Sequence, residues 1–426
     1  TIECYTGLRN LELPEGCCVL LECMSNLVAN EMFQEDGAKD DTVPEILEGI
    51  SEIEKQAKKN HGILEVSGCI ESQKAHLMYG LSGLFPCHLV IAADEKSAKE
   101  LYEDYRFYDK RVYYYPAKDL LFFQADIHGN LLIRQRMQVI RALLEREDEI
   151  TVVTSIDGCM DYLAPLEKIE KQLIHFRNDS TLDMDKLTAA LVHMGYERVG
   201  QVEMPGQLSI RGGIIDIYSL TEENPWRIEL WGDEIDSIRS FDAQSQRSLE
   251  NLDDVTIYPA AEQPMEKNGV SFLDYFKETE TLFFLDELNH LEENAKAVQE
   301  EFQQSCENRK EKGEISLSGD WMCTWEELCH KINDRNCVAM SLLDPKKSNW
   351  KISGQFNITV KSMSSYQSSF ELLVKDLKQY KKEGYQIVLL SGSRTRAERL
   401  AKDLQEEGLN AFYGQDSDRI LQPGEI

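Results

Sequence analysis

The sequence predicts an α/β protein: a parallel-sheet domain interrupted by a small α+β unit and followed by a further small α/β unit. Three observations carry this expectation. Short apolar runs alternate with amphipathic stretches between Ile63 and Thr154, the pattern of βαβ units. Between Gln207 and Phe241 the pattern changes to short strands broken by turn residues. From Thr281 the strand–helix alternation resumes.

Taken in order, Val19–Leu21 suits a buried strand, and Met24, Leu27, Val28 and Met32 recur at helical spacing. Residues 34–44 are polar with Gly and Pro and mark a linker, and Glu45–Lys59 is a charged helical stretch. Strands are expected at Ile63–Val66, His88–Ala92, Arg111–Tyr115 and Ile150–Thr154, with helices at Ser72–Leu81, Lys96–Phe107 and Asn130–Arg146. Leu132, Met137, Ile140 and Leu144 form the inner stripe of the last helix. After Pro165, Leu182–Met194 reads as a helix. Gln207–Arg211, Ile214–Tyr218, Trp226–Trp231 and Ile235–Phe241 read as strands. Gly212-Gly213 and Gly232-Asp233 supply turn chemistry for antiparallel hairpins. Thr281–Leu285, Gln386–Leu390 and Asn410–Tyr413 read as strands, and Glu292–Cys306, Phe370–Glu383 and Thr395–Glu407 as helices. Residues 321–352 give no clear pattern.

A chain of 426 residues suggests two to four domains, and a 42% hydrophobic share suffices for buried cores. Apolar runs such as Leu282–Leu285 are far too short to span a bilayer, so no membrane partner is expected. Thr1 at the start and Pro423-Gly424 near the finish suggest a chain cut at both ends, and no secretory pattern is read. The net charge of −30 resides mainly in residues 1–50 (2 basic, 11 acidic) and 219–310 (8 basic, 22 acidic). Such acidity opposes an unaided grip on DNA phosphates. Eleven cysteines without a C-x-x-C pair point to reduced thiols in the cytoplasm. Cys323, Cys329 and Cys337, with His330, read as buried thiols rather than a zinc knuckle.

The strand Ile63–Val66 runs through Gly68-Cys-Ile-Glu-Ser-Gln73-Lys74-Ala75 into a helix, the place of a phosphate-binding loop. Gly68 and Lys74 fit that pattern. Gln73 replaces the second glycine, and Ala75 replaces the hydroxyl that would hold Mg2+. ATP hydrolysis is therefore not expected here. Asp286-Glu287 ends an apolar strand where a helicase-type metal-binding pair would sit, and reads as a relic or a solvated strand end. Tyr113-Tyr114-Tyr115 and Phe122-Phe123 could stack bases, but so little local positive charge favours packing. Arg198 and Arg211 are isolated cations on the small β module; spacing alone reads them as a pair of surface arginines, though this is also the residue type that pairs carboxylates at protein interfaces. Asp216 faces away from Ile215 and Ile217, toward a turn or an ion pair.

Three blocks then carry a family resemblance: VSGCIESQKAHL at 66–77, RVGQVEMPGQLSIRGGIIDIY at 198–218, and WRIELWGDEIDSIRSFDAQSQRS at 226–248. They resemble the N-terminal, UvrB-like module of transcription-repair coupling factors, with a weaker likeness continuing to the C-terminus. The resemblance implies a degenerate helicase-like, P-loop NTPase-like sheet domain interrupted by a UvrA-binding α+β domain, and then a small third domain. The implied limits are 47–160 and 259–365 for the helicase-like parts with their linker, 161–258 for the UvrA-binding domain, and 366–426 for the truncated third domain. Residues 1–46, through VLLECMSNLVANEMF, resemble a fragment of adenosylcobinamide kinase/guanylyltransferase, in which Glu22 would help hold Mg2+. The phosphate loop of that family is missing from this fragment. The coupling-factor resemblance further implies that Arg198 and Arg211 contact UvrA. A third contact position is Arg in UvrB but Ser209 here, which implies a weaker or differently balanced surface. It implies a non-catalytic recruiting function in nucleotide excision repair, with no cofactor in this stretch. RNA polymerase, double-stranded DNA, ATP and Mg2+ would belong to modules further along. The rival readings are a nucleotide-dependent enzyme and a direct DNA-binding module.

Overall fold

The computed structural model describes residues 62–118, 130–147, 149–262, 269–311, 322–343, 350–357, 369–382, 387, 389 and 394–414. The kinase-like fragment 1–46, the linker, the helix expected at Glu45–Lys59 and Phe122-Phe123 lie outside the described residues. Contacts gather the chain into two compact units, Gln56–Ser67 with Glu71–Gly354, and a second that includes Gln355–Ile426.

The first unit begins with β1 (Gly62–Ser67), β2 (Cys87–Ala92), β3 (Val112–Tyr115) and β4 (Ile150–Ser155). Helices Glu71–Leu81, Glu95–Tyr105 and Asn130–Glu145 connect them. The second of these helices starts where Asp94 accepts a hydrogen bond from the Ser97 backbone N–H, which satisfies an otherwise orphaned donor. Next come the short strands β5 (Tyr162–Leu163), β6 (Ile174–Arg177) and β7 (Glu197–Arg198). The helix Met184–His193 lies between the last two. The chain then runs through β8 (Gln207–Arg211), β9 (Ile214–Ile217), β10 (Trp226–Trp231), β11 (Glu234–Phe241), β12 (Ser248–Leu252) and β13 (Asp254–Ile257). It returns through β14 (Val270–Ser271), β15 (Thr281–Asp286), β16 (Asn336–Ser341) and β17 (Ile352–Asn357).

The main sheet has the order β17–β1–β16–β15–β2–β4–β3, and its pairs from β1 to β3 are all parallel. β1, β4 and β15 are buried at every residue, as expected of strands covered on both faces. One core of side chains from this sheet and its helices includes Ile91, Val152, Phe283, Leu285 and Leu328. The sequence expectation missed β16, which lies at the centre between β1 and β15. It also missed the helix Trp325–Asn333, although Thr324 and Glu327 form a capping box at its start.

The smaller sheet has the order β12–β11–β10–β9–β8–β7. Its β7–β8 pair is parallel, and the pairs from β8 to β12 are antiparallel. The four strands expected from the sequence are present, with β7 and β12 added at the two edges. One face carries Leu208, Ile215, Ile217 and Ile228, which share a core with Leu187 and Leu191 of the helix Met184–His193. Gly212 turns β8 into β9 at a φ of 62°, where a side chain would be strained. A Cβ on the next residue, Gly213, would stand 3.0 Å from the Leu230 carbonyl oxygen.

Arg136 lies where the smaller sheet joins the main one, and it is fully buried. It donates to Asp161 at 2.9 Å and to the Pro116 carbonyl at 2.9 Å, pairs with Glu262, and sits over the Tyr115 ring at 4.2 Å. Asp161 and Glu262 belong to the two segments that lead into and out of the inserted sheet. In the second unit, helices Phe370–Lys382 and Arg394–Glu406 share a small core of Val374, Leu377, Ile387, Leu404, Leu409 and Ala411. The strand expected at Asn410–Tyr413 is a single bridging residue, Asn410, followed by irregular chain. Most of Gln386–Leu390 lies outside the described residues.

Candidate functional site

The loop after β1 has Gly68 at a φ of 84°, a backbone state that favours glycine. In the helix that follows, Ala75 is buried and offers no hydroxyl to a cation, and the buried Gln73 Oε1 finds no hydrogen bond among the described residues. Lys74 is buried too, and its ammonium donates to Asp286 Oδ1 at 2.6 Å and to Glu287 Oε1 at 2.7 Å. Asp286-Glu287 is therefore not a plain solvated strand end, which corrects that half of the expectation, while its pairing with Lys74 agrees with the relic half. The pair sits at the end of β15, a central strand with β16 and β2 on either side. The chain turns there with Glu287 at a φ of 53°. The same Oε1 atom accepts from the Leu342 backbone N–H at 2.9 Å, just beyond β16.

Burial opposes the charge on Lys74, but Asp286 and Glu287 more than offset it and hold its pKa above the ordinary lysine value. Burial also raises the Asp286 carboxyl, an effect that Lys74 only partly offsets. One ammonium shared by two carboxylates at these distances favours the ionic arrangement. The lysine that would meet a phosphate is thus satisfied by the acids that would meet a metal. Among the described residues, no cluster of three or more His, Cys, Asp or Glu side chains could hold a metal ion. Cys323, Cys329 and Cys337 are buried free thiols, and His330 points outward. Tyr115 is stacked on Phe272 with ring centroids 3.8 Å apart, Tyr113 donates to Glu147, and Tyr114 donates to Glu95. These three aromatics serve packing and hydrogen bonding.

Of the candidate docking residues, Arg198 and Arg211 lie exposed on the smaller sheet. Arg211, at the end of β8, is half exposed and donates to Asp216 Oδ2 at 2.7 Å. Asp216 is fully buried, and it also accepts from Arg227 Nε at 2.7 Å and Nη2 at 3.0 Å. Arg227 lies over the Phe241 ring at 4.4 Å and donates to Gln246, whose amide donates to the Val202 carbonyl. This network anchors the Arg211 guanidinium at one end and leaves the rest of its fork at the surface. The sequence marked Asp216 for a turn or an ion pair, and the ion pair is what forms. Arg227 was missed; its position directly opposite Asp216 in the β9–β10 register was the signal.

Register places the two candidate arginines on opposite faces. Arg198 pairs with Leu208 and so shares the face that carries the helix Met184–His193. Ser209 pairs with Asp216, and Arg211 lies two residues on, so both belong to the other face. Arg198 is exposed, and no ion pair is formed by it among the described residues. It lines a groove of about 820 Å³ with Met184, Asp185, Val192, Ile210 and Gly212. Ser209 is only 1% exposed, and its hydroxyl donates to the Gly200 carbonyl at 2.9 Å. It therefore lies beneath the 199–206 segment rather than presenting its side chain at the surface.

Residues 174–262 match the family model of the UvrB interaction domain. That stretch contains all three candidate docking residues. The chain is 28% identical over 436 aligned positions to a transcription-repair-coupling factor of Bacillus subtilis, covering 85% of this chain and 37% of the relative. It is 34% identical over 164 positions to the protein of that name in Staphylococcus aureus, and 35% over 162 in Staphylococcus haemolyticus; each match covers 38% of this chain and 14% of the relative. The chain thus spans little more than a third of the length of the Bacillus relative. No described helix is long and apolar enough to cross a membrane.

Proposed function

We propose that this chain, which carries a UvrB interaction domain and is similar to transcription-repair coupling factors, recruits UvrA in nucleotide excision repair. The observation that carries the proposal is the coincidence of that domain with an exposed Arg198 and with an Arg211 anchored so that its free edge faces acidic partners. Arg211 is anchored by a buried carboxylate, which lowers the entropy lost when its free edge binds. Ser209 acts as a positioning residue that fixes the 199–206 segment beside β8.

The closed Lys74–Asp286–Glu287 cluster supports a non-catalytic reading of this chain, with no cofactor of its own. In that reading RNA polymerase, double-stranded DNA, and the ATP and Mg2+ of a translocating motor are engaged by parts of the longer protein beyond this stretch, in the cytoplasm. Titration of purified UvrA onto the chain tests the proposal. Arg211→Ala should weaken binding by about 2 kcal/mol, roughly thirtyfold, without unfolding the chain. Unchanged affinity would remove Arg211 from the docking surface.

A further inference from the structure

Among the described tryptophans, Trp226, Trp325 and Trp350 are each 7% exposed or less, whereas Trp231 leaves 83% of its surface in water. The smaller sheet explains why. Trp226, Ile228 and Leu230 of β10 turn toward the core shared with the helix Met184–His193, so Trp231 points to the other face. Arg211 pairs with Ile214, and Ile214 with Glu229, which makes a row across that same outer face. Continuing the register sets Gly213 beside Leu230, whose N–H donates to the Gly213 carbonyl at 2.8 Å, and Gly212 beside Trp231. Around Gly212, and around Gly232 in the turn that follows, nothing lies within 4 Å of where a Cβ would stand. Across the β10–β11 pair, Trp231 faces only the exposed Glu234. The indole makes no hydrogen bond or ring contact among the described residues. A bulge opposite the Glu229–Leu230 step adds a residue to β11, a device that raises local twist and re-aims a neighbouring side chain.

The fold gains nothing from a large ring held in water, and tryptophan is concentrated among the anchors of protein interfaces. Position selects the occupant. Trp231 and Arg211 share one face and one end of the sheet, two strand spacings apart, on the order of 10 Å. That lies within the footprint of about 800 Å² that a standard interface leaves on each partner. Asp233, Glu234 and Asp236 around the turn are exposed acids, so recognition by Trp231 does not rest on positive charge. A second copy of the chain would set these acids against their own kind, in a molecule of net charge −30. Resting on the UvrA-docking reading, we infer that Trp231 is the apolar anchor of that interface, its indole entering an uncharged pocket of UvrA beside Arg211. The ring adds buried apolar area that a partner surface matched by charge alone cannot supply.

The test is a titration of purified UvrA onto the full chain at low and at high sodium chloride. Trp231→Ala should weaken binding about tenfold or more, and Trp231→Phe should restore most of the loss. The loss should be the same at both salt concentrations, because salt screens charge and leaves apolar burial in place. The ring packs on nothing in the free chain, so both variants should keep the parent's circular dichroism and melting temperature. Parental affinity in Trp231→Ala, with affinity lost in Arg211→Ala, would overturn the anchor and leave the docking reading standing. A loss that fades at high salt would overturn it too, since the ring would then act through neighbouring charges. Self-association abolished by Trp231→Ala, at unchanged UvrA affinity, would give the ring to a second copy and overturn the proposal. No binding of UvrA by the unaltered chain would overturn both readings.

Discussion

Replacing Lys74 by Met keeps the aliphatic stem and removes the ammonium. The side chains of Lys74 and Asp286 are each 7% exposed, and that of Glu287 is 22% exposed, so water cannot readily take over. Removing one partner of a buried pair costs about 3–5 kcal/mol, because the other charge is left uncompensated. Two carboxylates share the loss here, which places the expected cost in the upper half of that range. For a unit of this size, each kcal/mol shifts the melting temperature by roughly 2–4 °C. Lys74→Met should therefore lower the first thermal transition by roughly 8–20 °C at pH 7.5, followed by circular dichroism. The deficit should shrink as the pH falls toward the ordinary carboxyl value of 3.8, because burial already favours the protonated form of Asp286. The triple change Lys74→Met, Asp286→Leu, Glu287→Gln should recover much of the loss. A Lys74→Met protein as stable as its parent would refute the claim that the cluster is a structural ion pair. ATP turnover that depends on Lys74 would refute it in a different way.

Asp216→Ala should destabilise the smaller sheet by about 3 kcal/mol or more, since it strips two arginines of a fully buried partner; chemical denaturation would register this, and UvrA affinity should fall further than in Arg211→Ala. Asp157→Asn should change the pH profile of stability. Burial, aided by Glu95 and Asp94, raises this carboxyl to about 6, so the folded chain keeps a proton that the unfolded chain releases above about 4. The stability Asp157 contributes is thus present at low pH and lost as the pH rises through 6; the asparagine variant should lack that slope and gain roughly 2–3 kcal/mol at pH 7.5 in a urea titration.

Much of the fold was legible because its elements obey simple periods. β8 and β10 match their expected limits, and β1, β4 and β15 read as short, wholly apolar-rich runs. β16 was hidden because Asn336–Ser341 mixes Asn, Cys, Ala and Ser, and a strand buried on both faces need not alternate. Its place between β1 and β15 comes from tertiary packing. The site was half legible. Arg198, Arg211 and the failed phosphate loop stand out in the sequence. The Lys74–Asp286 contact spans 212 residues, and no local pattern announces it. Likewise, β8 shows that Ser209 and Arg211 share a face, but only the parallel β7–β8 pairing puts Arg198 on the other one.

Arg136 has a mechanical consequence. Its single guanidinium grips both strands of the tether that carries the inserted sheet, and Arg141 with Glu222 and Tyr258 with Glu145 add two further fasteners along the same helix. A load placed on the insert by a bound partner is therefore not absorbed by a slack hinge. Turning the insert relative to the helix Asn130–Glu145 would mean breaking these four polar contacts.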